Sequence, residues 1–133
     1  LWSLRGNGLA CSVPMSEATD WLRERRNLVY VGIPSARIPG ADDRPFSWSN
    51  DEITIGEWTF DSGAGRVIFP EGDRLSAAFF ATEGSETLLY SAQPFSSRTG
   101  MPDYFVQASG TLLAAGFFDN QWEFDPSLGV SNQ

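Results

Sequence analysis

The side chains of this chain that can do chemistry are carboxylates, arginines and tyrosines. It carries 17 acids, nine arginines, three tyrosines and one cysteine, with neither histidine nor lysine. Ser-His-Asp and Cys-His nucleophile arrangements therefore cannot be built within it. A Schiff-base lysine, a pyridoxal phosphate linkage and a P-loop lysine are likewise absent. Zinc, haem, iron–sulfur and copper sites lack their usual His or Cys ligands, because Cys11 stands alone. What remains is acid–base work by paired carboxylates, with tyrosines as proton donors. Glu57, Asp61, Glu123 and Asp125 lie on or beside expected strands, and Tyr30, Tyr90 and Tyr104 are possible proton donors; the catalytic candidates are Glu57, Glu123, Tyr90 and Tyr104. Asp42-Asp43 and Glu71-Gly72-Asp73 match no defined calcium loop. No metal and no cofactor is expected.

Aromatic rings are the other raw material. Five tryptophans in 133 residues is a high number. Trp48, Trp58, Tyr104 and Trp122 are the candidate ligand-binding residues, because exposed rings make stacking platforms for sugars and covers for apolar ligands. Trp48 stands out, since Phe46-Ser47-Trp48-Ser49 ends a long polar loop.

The elements that must position these residues are mostly strands. Ser16 through Asn27 reads as one helix of about ten residues, with acids at its start and arginines at its end. Ala18, Trp21 and Leu22 form its apolar stripe. Leu28–Ile33 reads as a strand. Residues 34–50, with three prolines, read as the longest loop. From residue 51 strands follow at Ile53–Phe60, Arg66–Phe69, Leu75–Thr82, Thr87–Ala92, Tyr104–Ser109, Thr111–Phe117 and Gln121–Phe124, joined by Gly-, Asp- and Asn-rich turns. The expected fold is mainly β: an antiparallel meander of about eight strands forming a small barrel or two-sheet sandwich, with one short N-terminal helix. Residues 1–133 form one domain, with 1–27 an N-terminal segment and helix and 28–133 the barrel or sandwich. Opening on Leu1, the chain is expected to be a trimmed or processed product.

Two details go beyond the count. The apolar phase of Ile53-Thr54-Ile55-Gly56-Glu57-Trp58-Thr59-Phe60 switches at Gly56, which implies a bulge there or burial of both faces. Several strands are also apolar on both faces: Phe79-Phe80, Leu88-Leu89, Tyr104-Phe105, Leu112-Leu113 and Phe117-Phe118. A sheet with one wet face alternates polar and apolar residues, so one member of each pair needs separate cover. The triplet Gly56-Glu57-Trp58 has the G-x-W form of lipocalin-type barrels. It leaves about 75 residues for the remaining strands, too few for that fold, and no family is assigned on it.

Charge narrows the partners. The formal net charge is −8; residues 51–133 alone hold three arginines against twelve acids, a net of −9. Such a surface repels phosphate backbones and anionic membranes, and no apolar run reaches the length of a membrane span. The sequence thus reads as a soluble, non-catalytic binding protein of open oligomeric state. It holds a small apolar or glycan ligand, or docks a basic protein partner through its acidic surface. One alternative is a small cofactor-free isomerase, cyclase or hydrolase; another is a structural or assembly subunit.

Overall fold

The protein, described from a computed structural model, is mainly β. Residues 12–90 and 101–132 are described; Trp2 and Cys11 lie outside them. Among the described residues nine strands follow in chain order: β1 (Val29–Val31), β2 (Phe46–Trp48), β3 (Ile53–Ile55), β4 (Trp58–Phe60), β5 (Ala64–Glu71), β6 (Arg74–Ala81), β7 (Tyr104–Ala108), β8 (Thr111–Phe118) and β9 (Phe124–Ser131). They form a six-stranded sheet in the order β1-β6-β5-β7-β8-β9 and a three-stranded sheet in the order β2-β3-β4. Every pairing is antiparallel except β1 with β6. No closed barrel forms among the described residues, because β1 and β9 end the large sheet without pairing to each other.

The small sheet packs on the inner face of the large one through aromatic rings. Trp48 of β2 stacks on Phe80 of β6 at 4.5 Å between centroids, and Phe46 lies 5.4 Å from Phe69 of β5 and 5.8 Å from Phe118 of β8. Trp58 of β4 meets Tyr104 of β7 edge-on at 6.3 Å. Val67, Val106, Ile53, Ile55 and Ala114 fill the space between these rings. Full burial of each such side chain contributes about 1.5–3 kcal/mol.

The tight turns follow from local chemistry. β5 and β6 join through Gly72-Asp73, with Gly72 at φ 61°. β7 and β8 join through Ser109-Gly110, both at positive φ (48° and 80°), the primed geometry that suits the twist of a hairpin. A register shift in β8 leaves the Phe118 N–H without a ladder partner, and the Asp103 carboxylate accepts it at 3.0 Å.

Several expectations are corrected. Gly56 is not a bulge: with Glu57 it forms the turn between β3 and β4. A two-residue reversal returns the chain with its parity inverted. Ile53 therefore pairs with Phe60 and Ile55 with Trp58. The loop at 34–50 contains β2, whose buried–exposed–buried alternation lies beyond the proline-rich stretch. Thr87–Ala92 is no strand in its described part; Glu86–Tyr90 is a 3₁₀ turn, opened by the Leu88 N–H on the Ser85 carbonyl. Residues 121–123 belong to a loop, and the last strand continues from Phe124 to Ser131. The helix, α1, covers only Asp20–Arg25, because Ala18 and Thr19 are extended and Met15–Glu17 is a separate 3₁₀ turn. Trp21 is 52% exposed with Arg25 over its ring, so it does not belong to a docked stripe.

Candidate functional site

Three of the five doubly apolar pairs resolve into a buried inner and an outer member; Leu112 is exposed beside half-buried Leu113, and Leu88-Leu89, expected on a strand, lies in the 3₁₀ turn with both members half-buried. Phe80, Tyr104 and Phe118 are buried between the sheets, whereas Phe79 and Phe105 are half-buried on the opposite face and Phe117 is exposed. Cross-strand register aligns the outer members into one row across all six strands: Val31, Phe79, Arg66, Phe105, Ala115 and Val130. At a strand spacing of about 4.8 Å the row spans roughly 24 Å. Arg66 at its centre is 3% exposed. Its guanidinium donates to the Pro102 carbonyl at 2.9 Å and approaches the Met101 sulfur at 3.9 Å, so residues 101–102 cross over it. Burial pushes the Arg66 pKa down, opposed by the charge of Asp103.

Either side of that crossing the face lies open. Val29 and Val31 of β1 are 57% and 61% exposed, and Leu75 beside them 49%. Toward the other edge Phe117 is 46% and Val130 61% exposed, with Leu128 two residues before it also open. Single apolar residues in water need no explanation; here they gather in two groups, one toward each edge of the sheet, on either side of the covered Arg66, and clustered apolar surface of this kind marks contact surfaces.

A second feature is a cleft of about 560 Å³ between the 40–46 segment and the β8–β9 loop. Phe46, Phe69 and Phe118 line its inner part; Asp42, Asp43, Gln121 and Glu123 stand on its rim. Arg44 lies with its guanidinium carbon 4.2 Å from the Phe69 ring centroid, and its Nη2 donates to the Pro39 carbonyl at 2.7 Å. Burial lowers its pKa, while the charge of Glu71 opposes that shift. Nearby, Glu71 accepts from the Tyr30 hydroxyl at 2.8 Å and from Ser76 at 2.8 Å, which pins β1 to the β5–β6 hairpin. Burial and the Glu71 carboxylate together push the Tyr30 pKa up.

Trp122 faces this cleft in a left-handed conformation, φ 64°. The loop that holds it is closed by the Asp119 carboxylate, which accepts the Gln121 and Glu123 N–H groups at 2.8 and 2.9 Å, and by the Trp122 N–H on the Asp119 carbonyl. Glycine or asparagine normally fills such a position, since a Cβ is crowded there.

The sequence candidates are distributed as follows. Trp122 and Glu123 come together at the cleft. Trp58 and Tyr104 meet between the sheets, Tyr104 fully buried and Trp58 half-buried against Phe124 at 4.9 Å. Trp48 is a core residue whose indole N–H donates to the Ile33 carbonyl at 2.8 Å, and its backbone exchanges two hydrogen bonds with the Ser35 hydroxyl. Glu57 is exposed in the β3–β4 turn, whose neighbours Gly56 and Trp58 touch the Phe124 ring next to Glu123, and no hydrogen bond joins the two carboxylates among the described residues. Tyr90 lies at the end of the 3₁₀ turn, its side chain outside the described set. Tyr30 and Glu71 were each named from the sequence, but their grouping with Ser76, and Arg44 itself, were not, since no spacing links residues 30, 44, 71 and 76. No group of three or more Cys, Asp or Glu side chains that could hold a metal ion occurs among the described residues, and none of their helices is long and apolar enough to cross a membrane. The chain matches no protein-family model, no curated protein and no solved structure with which it was compared.

Proposed function

We propose that this domain is a non-catalytic binding module that docks a basic protein partner on the outer face of its six-stranded sheet. The observation that carries the reading is the register-aligned row from Val31 to Val130, with its two exposed flanks. Inner residues of the same strands already complete the core, so the outer apolar residues are surplus to folding. Charge selects the occupant. Five of the six strands come from residues 51–133, whose net charge is −9, and Arg66, one of the three arginines there, is buried. A second copy of this chain would bring a net −8 against −8, whereas a basic protein gains attraction during approach.

The test is affinity capture by the intact chain at low and high salt, repeated with a Phe117→Lys/Val130→Lys variant. The expected result is retention of a basic protein by the parent, its loss by the variant, and weakening as salt rises. Equal retention by parent and variant, capture of no basic protein, or concentration-dependent self-association in sedimentation would each overturn the proposal.

A further inference from the structure

Independently of the sheet face, we propose that the cleft between residues 40–46 and the β8–β9 loop binds a neutral, polyhydroxylated ring of the sugar type, with Trp122 as its stacking surface. The space, about 560 Å³, lies in the range of small-molecule sites. Four aromatic rings line it: Phe46, Phe69 and Phe118 are buried at its floor and Trp122 flanks them, with Phe46 and Phe118 5.8 Å apart and Phe118 and Trp122 6.3 Å apart. The rim supplies hydrogen-bonding groups from both sides, Asp42 and Asp43 facing Gln121 and Glu123. An apolar wall with polar groups around its edge matches the two kinds of surface on a sugar ring, C–H faces and equatorial hydroxyls.

Charge decides against the other ligand classes. An anion would meet three carboxylates. The one cation of the cleft, Arg44, lies on the Phe69 ring and donates through Nη2 to the Pro39 carbonyl, and its Nη1, which has no partner among the described residues, is buried. A bare ammonium ion would have to share the aromatic wall with that guanidinium, which occupies the Phe69 face. A neutral ring needs neither displaced.

The conformation of Trp122 strengthens the assignment. A bulky residue at φ 64° is strained relative to glycine or asparagine, which suit that region. Its ring packs on Phe118 at the margin of the core and keeps a partly exposed surface that lines the cleft. Strain of this kind, held by the Asp119 hydrogen bonds, fixes the direction of the ring before a ligand arrives.

Titration of the intact chain with glucose, N-acetylglucosamine and cellobiose, followed by tryptophan fluorescence and calorimetry, tests the proposal; tetramethylammonium and benzoate serve as the cationic and anionic probes. The expected result is saturable binding of at least one neutral sugar, with Kd on the order of 1 mM. Trp122→Gly, which suits the left-handed backbone and so keeps the loop, weakens it about tenfold or more. Gln121→Ala is the second variant, and it weakens binding while leaving the Trp122 fluorescence in place. Absence of saturation by all three sugars overturns the proposal, as does binding of tetramethylammonium or benzoate in preference to them. Sugar binding that persists unchanged in both variants overturns it as well.

Discussion

Replacing Tyr104 by phenylalanine stabilises this protein. The Tyr104 ring lies flat across β8 and β9, where Gly116 and Gly129 pair with each other and leave room for it. A Cβ at either glycine would run into the Tyr104 hydroxyl oxygen, and one at Gly116 would come within 2.6 Å of the Gly129 Cα. The hydroxyl itself is buried and has no hydrogen-bond partner among the described residues. A buried hydroxyl left unpaired costs about 1–3 kcal/mol in lost hydration. Deleting the oxygen forfeits a handful of contacts worth about 0.1–0.2 kcal/mol each. The balance is a gain of about 1 kcal/mol, or about 4 °C in Tm for a domain of this size. Urea denaturation reads it as a higher midpoint at unchanged slope. Gly116→Ala, in contrast, costs about 2–3 kcal/mol through overpacking. In the double variant part of that cost returns, because the Tyr104 oxygen is one of the atoms it strikes. If Tyr104→Phe loses about 1 kcal/mol or more, the hydroxyl has a partner and the packing of the ring over the glycines is not as described.

Three further outcomes follow from local geometry. Gly56→Ala destabilises by about 2 kcal/mol or more, measured by thermal unfolding, since Gly56 sits at φ 57° and a Cβ there meets the Phe124 ring. Ser109→Asn raises stability by about 0.5–1 kcal/mol, because asparagine tolerates the φ of 48° that the β7–β8 turn imposes. In alkali the fold weakens above pH 10. Burial, with the nearby Asp103 charge, pushes the Tyr104 pKa up from 10.0 to about 12. Between those values the folded state holds a proton that the unfolded chain has released, so stability is full below pH 10 and falls as pH rises toward 12. Tyr30 shifts in the same direction. A pH series of unfolding midpoints checks the window, and Tyr104→Phe flattens the decline within it.

Much of the architecture is legible in local residue chemistry. The surplus of apolar residues on both faces of β6, β7 and β8 pointed to two distinct environments, and the inner and outer rows are those environments. The change of phase at Gly56 was visible too, although a strand reversal and a bulge write the same pattern over eight residues. What was not legible depends on long-range pairing. β1 lies parallel to β6 across more than forty intervening residues, a choice no local pattern encodes. The end of β9 was hidden by Asp125, Pro126 and Gly129, residues poor in strand propensity that an edge strand tolerates. Trp48 looked like a binding-loop residue because prolines surround it in sequence. Only the Phe80 ring and the Ser35 hydroxyl, distant in the chain, make it part of the core. Of the residues lining the cleft, Trp122, Glu123 and the Asp42-Asp43 pair were named from the sequence, whereas Arg44 and Phe69 reach it from distant parts of the chain.

The most direct measurement is the stability of a chain whose outer row is made polar while its inner row is untouched. In the triple variant Val31→Lys, Phe117→Lys and Val130→Lys, each substitution replaces a residue at least 46% exposed. If the outer row is kept apolar for a partner and not for the fold, unfolding midpoints stay within about 0.5 kcal/mol per site of the parent. Phe80→Ala on the inner face of the same sheet loses about 3–5 kcal/mol. A triple variant that unfolds as readily as Phe80→Ala would place the outer row in the core and contradict its role as a docking face.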